Sequence, residues 1–321
     1  MVTRLRCRAR RHQALLTVLG SLLTAGVLVL VLAGQRHEFA KALSSAPVSV
    51  LALTVLLQVV ALVSRSEAWH LTIEAAGGKV DRRILYRASS MQVLGGVING
   101  HLGVAARIAA LRRSSPDVCP QVPTLIAAEF PILAVEATLA AVASFTLVAP
   151  LGLPWWLPII GLVVVGAASV GLRRLALAKG QKLWRGLAVL RSLSGGSRVI
   201  GFVLIAVFAQ ILRNWLLLHA VGVDASVFDA TAVLIGLVTL GQLPVGPAVG
   251  AAAAVLILGS QGVAAAAAAG VLMTVTGTLG GFCFAAWAGA DHLRSALIRK
   301  RAARRSRARP KQASPSGIVP E

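Results

Sequence analysis

Five side chains in this 321-residue sequence carry groups that could do chemistry in surroundings where such groups are costly. Glu129 and Glu136 stand seven residues apart, a spacing that puts both carboxylates on one helix face. Arg107 follows Gly103 by one turn, and Arg213 with Asn214 follows Gln210 by another. All lie in or beside apolar runs, where an ionisable group is expensive and marks a binding site by default. A guanidinium presents a planar fork suited to phosphate oxygens, so Arg107 or Arg213 could hold a lipid head group, with Glu129 and Glu136 balancing charge. The plainer alternative is that these arginines and glutamates neutralise one another and lock helices together.

Asn99 and His101 belong to the glycine-rich stretch Gly95-Gly-Val-Ile-Asn-Gly-His-Leu-Gly103. They could bond freed backbone groups or a polar substrate, capping being the plainer role. The substrate-contact candidates are therefore Arg107, Glu129, Glu136, Asn99, His101, Arg213 and Asn214. Nothing supports catalysis. The sequence has no helical pair of metal ligands, no phosphate-cradling loop with its lysine and no nucleophile motif, so no metal, cofactor or enzyme activity is expected. Cys7, Cys119 and Cys283 have no paired spacing and imply no disulfide framework.

The elements that must position these groups are set by composition. Hydrophobic residues make up 57% of the chain, charged residues only 13%, and mean hydropathy is +0.80. That lies outside the soluble range. Six apolar runs approach or exceed the roughly 20 residues that span a bilayer. They are Ala14 to Gly34, Pro47 to Ser64, Val122 to Ala149, Trp155 to Leu172, Val199 to Gly222 and Gly262 to Gly289. Residues 1–13 read as a basic cytoplasmic tail, 14–290 as one polytopic membrane domain, and 291–321 as a basic, disordered cytoplasmic tail. The first apolar run is too long for a cleaved leader's core and reads as a retained span.

Two segments interrupt the apolar pattern. Gly241-Gln-Leu-Pro-Val-Gly-Pro-Ala-Val-Gly250 breaks the run from Ala230 to Gly259, and Gly95 to Gly103 breaks the earlier one. Irregular backbone at membrane depth survives only where protein or a wet cavity covers its amides and carbonyls. Corresponding breaks in the two halves of a membrane protein point to a central site. Gly95, Gly96, Gly100, Gly103, Pro244, Gly246, Pro247 and Gly250 are the expected hinge and backbone positions.

Lysines and arginines set the orientation. Of 32, five fall before Gln13, eight in Arg65 to Gln121, seven in Arg173 to Arg198 and nine after Asp291. Positive-inside bias puts both termini and both basic loops in the cytoplasm, with the loops at Gln35 to Ser45, Pro150 and Asp224 outside. The expected fold is an all-α polytopic bundle of six full spans plus two re-entrant hairpins, Arg87 to Arg113 from the cytoplasm and Asp229 to Gly259 from outside. Span, span, hairpin, span then repeats with inverted topology. Eight ordinary spans are the alternative. Trp155 and Trp156 read as outer interface anchors, Trp69 and Trp287 as inner ones.

The net charge of +21 suggests nucleic acid only superficially. A basic tail, Arg299 to Arg309, fits positive-inside bias and anionic lipid better, so nucleic acid is not expected. The loop Arg173 to Arg198 patterns as an amphipathic helix on the inner leaflet or on the protein's own cytoplasmic end.

The order of several short motifs carries a resemblance. Trp69 precedes a Gly77-Gly78 turn, then come Asn99, Gly103-Val-Ala-Ala-Arg107 and Ala-Ala-Glu129. Asn214 with Ala220-Val-Gly222 follows, then Pro244-Val-Gly-Pro-Ala-Val-Gly250 and Gly259-Ser-Gln-Gly262. Over roughly Ala14 to Gly289 this resembles the flippase-like membrane domain of lysylphosphatidylglycerol synthases, also found as stand-alone membrane proteins. The resemblance implies that Arg107 matches the Arg of a Gly-Glu-x-x-Arg element and Gly250 a Gly of a Pro-Gly-Gly-x-Gly-x-x-Glu element. Both acids are missing here, with Val104 and Ala253 in their places, and Phe130 stands where a Glu-Arg pair would have its Arg. The aminoacyl-transferring soluble domain is absent from the sequence. The implied function is movement of an amphipathic, anionic or phosphate-bearing lipid across the plasma membrane, with a protein partner at the cytoplasmic face as a further expectation. The rivals are a membrane subunit for an enzyme acting on a lipid-linked intermediate, and a scaffold whose transport site has decayed.

Overall fold

The computed structural model describes Gly26 and residues 33–96, 100–114, 119–179, 193–241 and 248–308. Among these every regular element is a helix. The helices are α1 (Arg36–Ser45), α2 (Val48–Ala75), α3 (Arg82–Gly96), α4 (Gly100–Ser114), α5 (Val122–Ala127), α6 (Phe130–Ala143), α7 (Val148–Leu151), α8 (Leu157–Lys179), α9 (Leu193–Ala220), α10 (Val227–Leu240), α11 (Val249–Leu258) and α12 (Val263–Ala308). Four apolar stretches are long enough to cross a membrane: Val48–Ala75, Val122–Leu151, Gly195–Ala220 and Val263–Asp291. Apolar helices at Leu157–Gly171, Val227–Leu240 and Val249–Gln261 are shorter. This is the architecture of a helical membrane protein.

The first expected span, Ala14 to Gly34, falls mostly outside the described residues, as do 180–192 of the expected amphipathic stretch Arg173 to Arg198, whose flanks 173–179 and 193–198 are helical. Two expectations are corrected. Gln35 to Ser45, read as a loop, holds α1, whose Phe39, Ala42 and Leu43 pack on the bundle. The basic stretch after Asp291, expected to be unstructured, continues α12 to Ala308. The third apolar run stays one span-length stretch, Val122–Leu151, interrupted at Ala128–Glu129 where Pro131 lacks an N–H and its ring crowds the carbonyl of Ala127, while both residues keep right-handed helical angles.

Helices α2 and α9 form the centre of the bundle and run antiparallel. Ser45, just before α2, donates its hydroxyl to Ala220 O at the end of α9, at 3.1 Å. Midway, Ala61 packs with Ala206 and Ala209. At the other end Trp69 and Ile73 of α2 share a core with Val199 and Val203 of α9. Around this pair lie two apolar cores at opposite ends. One joins the Trp69 end of α2 to α3, α4 and α5 through Leu85, Leu111 and Leu125. The other joins the Leu217 end of α9 to α10, α11 and the start of α12 through Val233, Leu258 and Ala269.

The local sequence around both cores is alike. Helices α2 and α9 end in the same way. Each ends on a left-handed glycine, Gly77 (φ 86°) and Gly222 (φ 84°), a conformation open to glycine at no steric cost. Gly78 N–H bonds Ile73 O and Val223 N–H bonds Leu218 O, both at 3.0 Å, closing the same C-terminal motif. Five residues past each glycine a shorter helix begins, capped by Asp81 over the Arg83 N–H (2.7 Å) and by Ser226 over the Asp229 N–H (3.1 Å). One offset in numbering relates Gly77 to Gly222 and Asp81 to Ser226.

Each short helix turns back on itself: α3 packs on α4, and α10 on α11. Residues 97–99 and 242–247, which join the paired helices in sequence, lie outside the described residues. Ser226 and Asp229 form a reciprocal capping box, Asp229 Oδ2 also accepting the Ser226 N–H at 2.9 Å. Ser226→Ala is expected to cost about 1 kcal/mol of stability, read as a lowered thermal midpoint of the purified protein.

Candidate functional site

Glu129 lies in the turn that Pro131 interrupts. Its backbone stays in the right-handed helical region, and its carboxylate meets Arg107 of α4 in an ion pair. Arg107 is only 2% exposed, and its guanidinium lies 3.7 Å from the centroid of the Trp69 ring. Trp69 is fully buried, so it is no interface anchor. It is the flat platform against which the cation is held. Three elements distant in sequence thus meet: α2 supplies the ring, α4 the cation and the α5–α6 break the acid. Trp287 is half exposed and Trp155 and Trp156 are exposed.

Glu136, one face-repeat along α6, pairs with Arg65 of α2 at 2.9 Å and 3.1 Å. Arg65 was unremarked in the sequence because it ends an apolar run. Both carboxylates of the Glu129/Glu136 face are therefore committed to cations.

A second polar group lies midway along the central helices. Gln58 of α2 accepts from Gln210 Nε2 at 2.8 Å and from Arg213 Nη1. Arg213 Nη2 also donates to Met273 O on α12 at 3.3 Å. Arg213 is 5% exposed, and its Nε has no partner among the described residues. No carboxylate of the described residues pairs with it. Asn214 is fully buried, and neither of its amide atoms finds a described partner. Gln58 is the residue sequence reading missed. As the lone amide in the run Pro47 to Ser64 it carried a legible signal.

No protein-family model, curated protein or solved structure matches this chain. The site therefore has to be read from its own geometry.

A third group closes the end of the bundle where α2 finishes. Arg87 of α3 donates to Asp291 of α12 at 2.5 Å and 3.1 Å. Tyr86 donates its hydroxyl to Glu67 and packs edge-on to Phe284 and Trp287. At the opposite end a cleft of about 440 Å³ opens among Phe145, Thr146, Phe228, Asp229, Ile257 and Gln261. Of the candidate contact residues, the described Arg107, Glu129, Glu136, Arg213 and Asn214 do not line it.

Of the remaining candidates, Asn99, Pro244, Gly246 and Pro247 lie outside the described residues. Gly95 and Gly96 end α3, and the backbones of Gly100, His101 and Gly103 are helical in α4. Gly250 starts α11 in backbone contact with Gly270 of α12; a Cβ on either glycine would overlap the other's carbonyl oxygen. The structure thus brings Arg107 to Glu129 and Arg213 to Gln58 and Gln210, as two separate clusters.

Proposed function

We propose that the protein is a multi-pass plasma-membrane protein that moves an amphipathic, anionic or phosphate-bearing lipid between leaflets, through two re-entrant hairpins related by an inverted repeat. The observation carrying this reading is the placement of the α3–α4 and α10–α11 hairpins at opposite ends of the antiparallel α2/α9 pair. Helices of 14 and 10 residues reach about 21 and 15 Å, well short of the roughly 30 Å hydrocarbon core. That favours hairpins over two further crossings. The shared offset of capped helices and left-handed glycines supports a repeat, and antiparallel α2 and α9 support its inversion. With lysine and arginine concentrated at the α3 side, both termini lie in the cytoplasm.

In this mechanism the head group enters between the hairpins while acyl chains stay in the bilayer. Arg107, Glu129 and Trp69 fix α4 against α2. The Arg87–Asp291 bridge holds the hairpin's cytoplasmic base to α12.

The test is a leaflet-resolved assay on the reconstituted protein, with labelled phosphatidylglycerol, phosphatidic acid and phosphatidylcholine. Transfer of an anionic lipid well above empty vesicles is expected. Rates equal to empty vesicles across that panel, with protein shown to be folded and inserted, would sink the reading.

A further inference from the structure

Charge accounting singles out Arg213. The sequence contains 11 acidic residues. Glu129 and Glu136 answer Arg107 and Arg65. Glu67 accepts from Tyr86 and lies near Arg82, and Asp291 answers Arg87. Glu74 sits beside His70, while Asp81 and Asp229 cap helices. Glu38 is on α1, and Asp224 lies in the turn before α10, both far along the chain from the bundle's middle. Asp117 and Glu321 are the two outside the described residues, and neither belongs to a hairpin turn. The residues joining the paired helices in sequence, Val97-Ile-Asn99 and Gln242-Leu-Pro-Val-Gly-Pro247, contain no acid. A guanidinium stays protonated at any ordinary pH, so Arg213 holds one unbalanced positive charge at the centre of the bundle.

The hairpins bracket that charge along α12. Gly250, at the start of α11, lies against Gly270 and Thr274. One turn on, Gly277 leaves space for the guanidinium: a Cβ there would stand 3.2 Å from Arg213 Nη1. One more turn on, Gly281 touches Val93 of α3, three residues before that helix ends. The inner ends of both hairpins therefore approach α12 on either side of Arg213. Its Nε and the whole amide of Asn214, each buried, have hydrogen-bonding capacity left over.

We infer that Arg213, with Gln58 and Gln210 fixing its orientation, is the seat of a singly charged phosphodiester, held between the two hairpins at mid-membrane. The inference rests on the transport reading and names its head-group class. One free cation matches one negative charge. A phosphomonoester would bring a second charge with no partner, and a zwitterion would bring a cation beside Arg213 with no acid to receive it. Arg107, already paired and stacked, is not the contact. A soluble monoanion shares the chemistry of the lipid phosphodiester, and the test separates the two.

The full chain is placed in phosphatidylcholine nanodiscs doped equally with phosphatidylglycerol and phosphatidic acid, at a pH where the monoester is doubly charged, and retained lipid is weighed by native mass spectrometry. Phosphatidylglycerol should be enriched over both others, and Arg213→Gln should reduce that retention about thirtyfold or more. Gly277→Asp should do the same with Arg213 in place, because it sets a carboxylate beside the guanidinium. Should both variants misfold, the wild-type protein still decides: its thermal midpoint must rise with phosphatidylglycerol content and not with phosphatidic acid. Preference for phosphatidic acid, or unchanged retention in folded Arg213→Gln and Gly277→Asp, overturns the inference. Stabilisation by chloride or inorganic phosphate in pure phosphatidylcholine, without any by phosphatidylglycerol, overturns the lipid assignment. Loss of retention with transfer intact removes this site and leaves transport standing. Retention through Arg213 without transfer does the reverse.

Discussion

Glu129→Ala is expected to unfold much of the bundle's α4 side, at a cost of about 3–5 kcal/mol. The acid's partner, Arg107, is 2% exposed and stacked on a fully buried Trp69, so it cannot swing to water when its carboxylate is removed. It cannot shed its proton either. The cost is thus the desolvation of a stranded charge rather than the loss of one contact. Glu136→Ala is the comparison. Its partner Arg65 has a side chain 40% exposed, so the guanidinium can be rehydrated and the loss should stay within about 1 kcal/mol. Removing both charges of the deep pair, as Arg107→Met with Glu129→Leu, should recover most of the stability lost in Glu129→Ala, since a buried ion pair roughly breaks even against apolar residues. Thermal unfolding of the detergent-solubilised variants measures all three. Equal midpoints for Glu129→Ala and Glu136→Ala would show that Arg107 finds water or another anion.

The same comparison explains what could be read from the sequence. Glu129, Glu136 and Arg107 stood out because charge in an apolar run is rare. Which acid faces which base depends on α2, α4 and α6 meeting in space, and no spacing encodes that. Trp69 shows the difficulty. An aromatic near the basic end of a span reads as an interface anchor, yet the ring is buried under a cation that comes from a different helix. The opening at Ala128–Glu129 was legible in principle, because Pro131 cannot continue the helix before it, but the apolar run concealed the break.

Glycine and proline signals fared well where they act locally. Beside the second expected break, α10 ends at Leu240 and α11 begins at Val249; beside the first, α3 is described to Gly96 and α4 from Gly100. The expectation of two related halves came from charge and from breaks in the apolar pattern. The matching left-handed glycines that end α2 and α9 needed backbone angles that residue types only hint at. Arg213 was visible as an ionisable group in a span. Its want of an acidic partner was invisible until every other acid had been placed.

The position of the second hairpin hangs on Gly250 and Gly270, and Gly270→Val should be the most damaging small substitution in the protein. A Cβ on Gly270 would fall on the backbone of Gly250 and Ala251, and one on Gly250 on the carbonyl of Gly270 and the hydroxyl of Thr274. Backbone cannot change rotamer to make room, so α11 must move bodily off α12. Overpacking usually costs about 1–3 kcal/mol, and a clash against backbone belongs at or above the top of that range. Small residues are also what allow helices to associate where water provides no driving force, so separation forfeits dispersion contacts along Ala251, Ala254, Ala266 and Ala269 as well. Gly201→Ala on α9 is the control: nothing lies within 4 Å of its would-be Cβ. Helix propensity alone then predicts a gain of up to about 1 kcal/mol. Opposite shifts in thermal midpoint for Gly201→Ala and Gly270→Val are expected. A neutral Gly270→Val would mean that α11 does not bear on α12 in the membrane, and the hairpin would then have no fixed depth from which to approach Arg213.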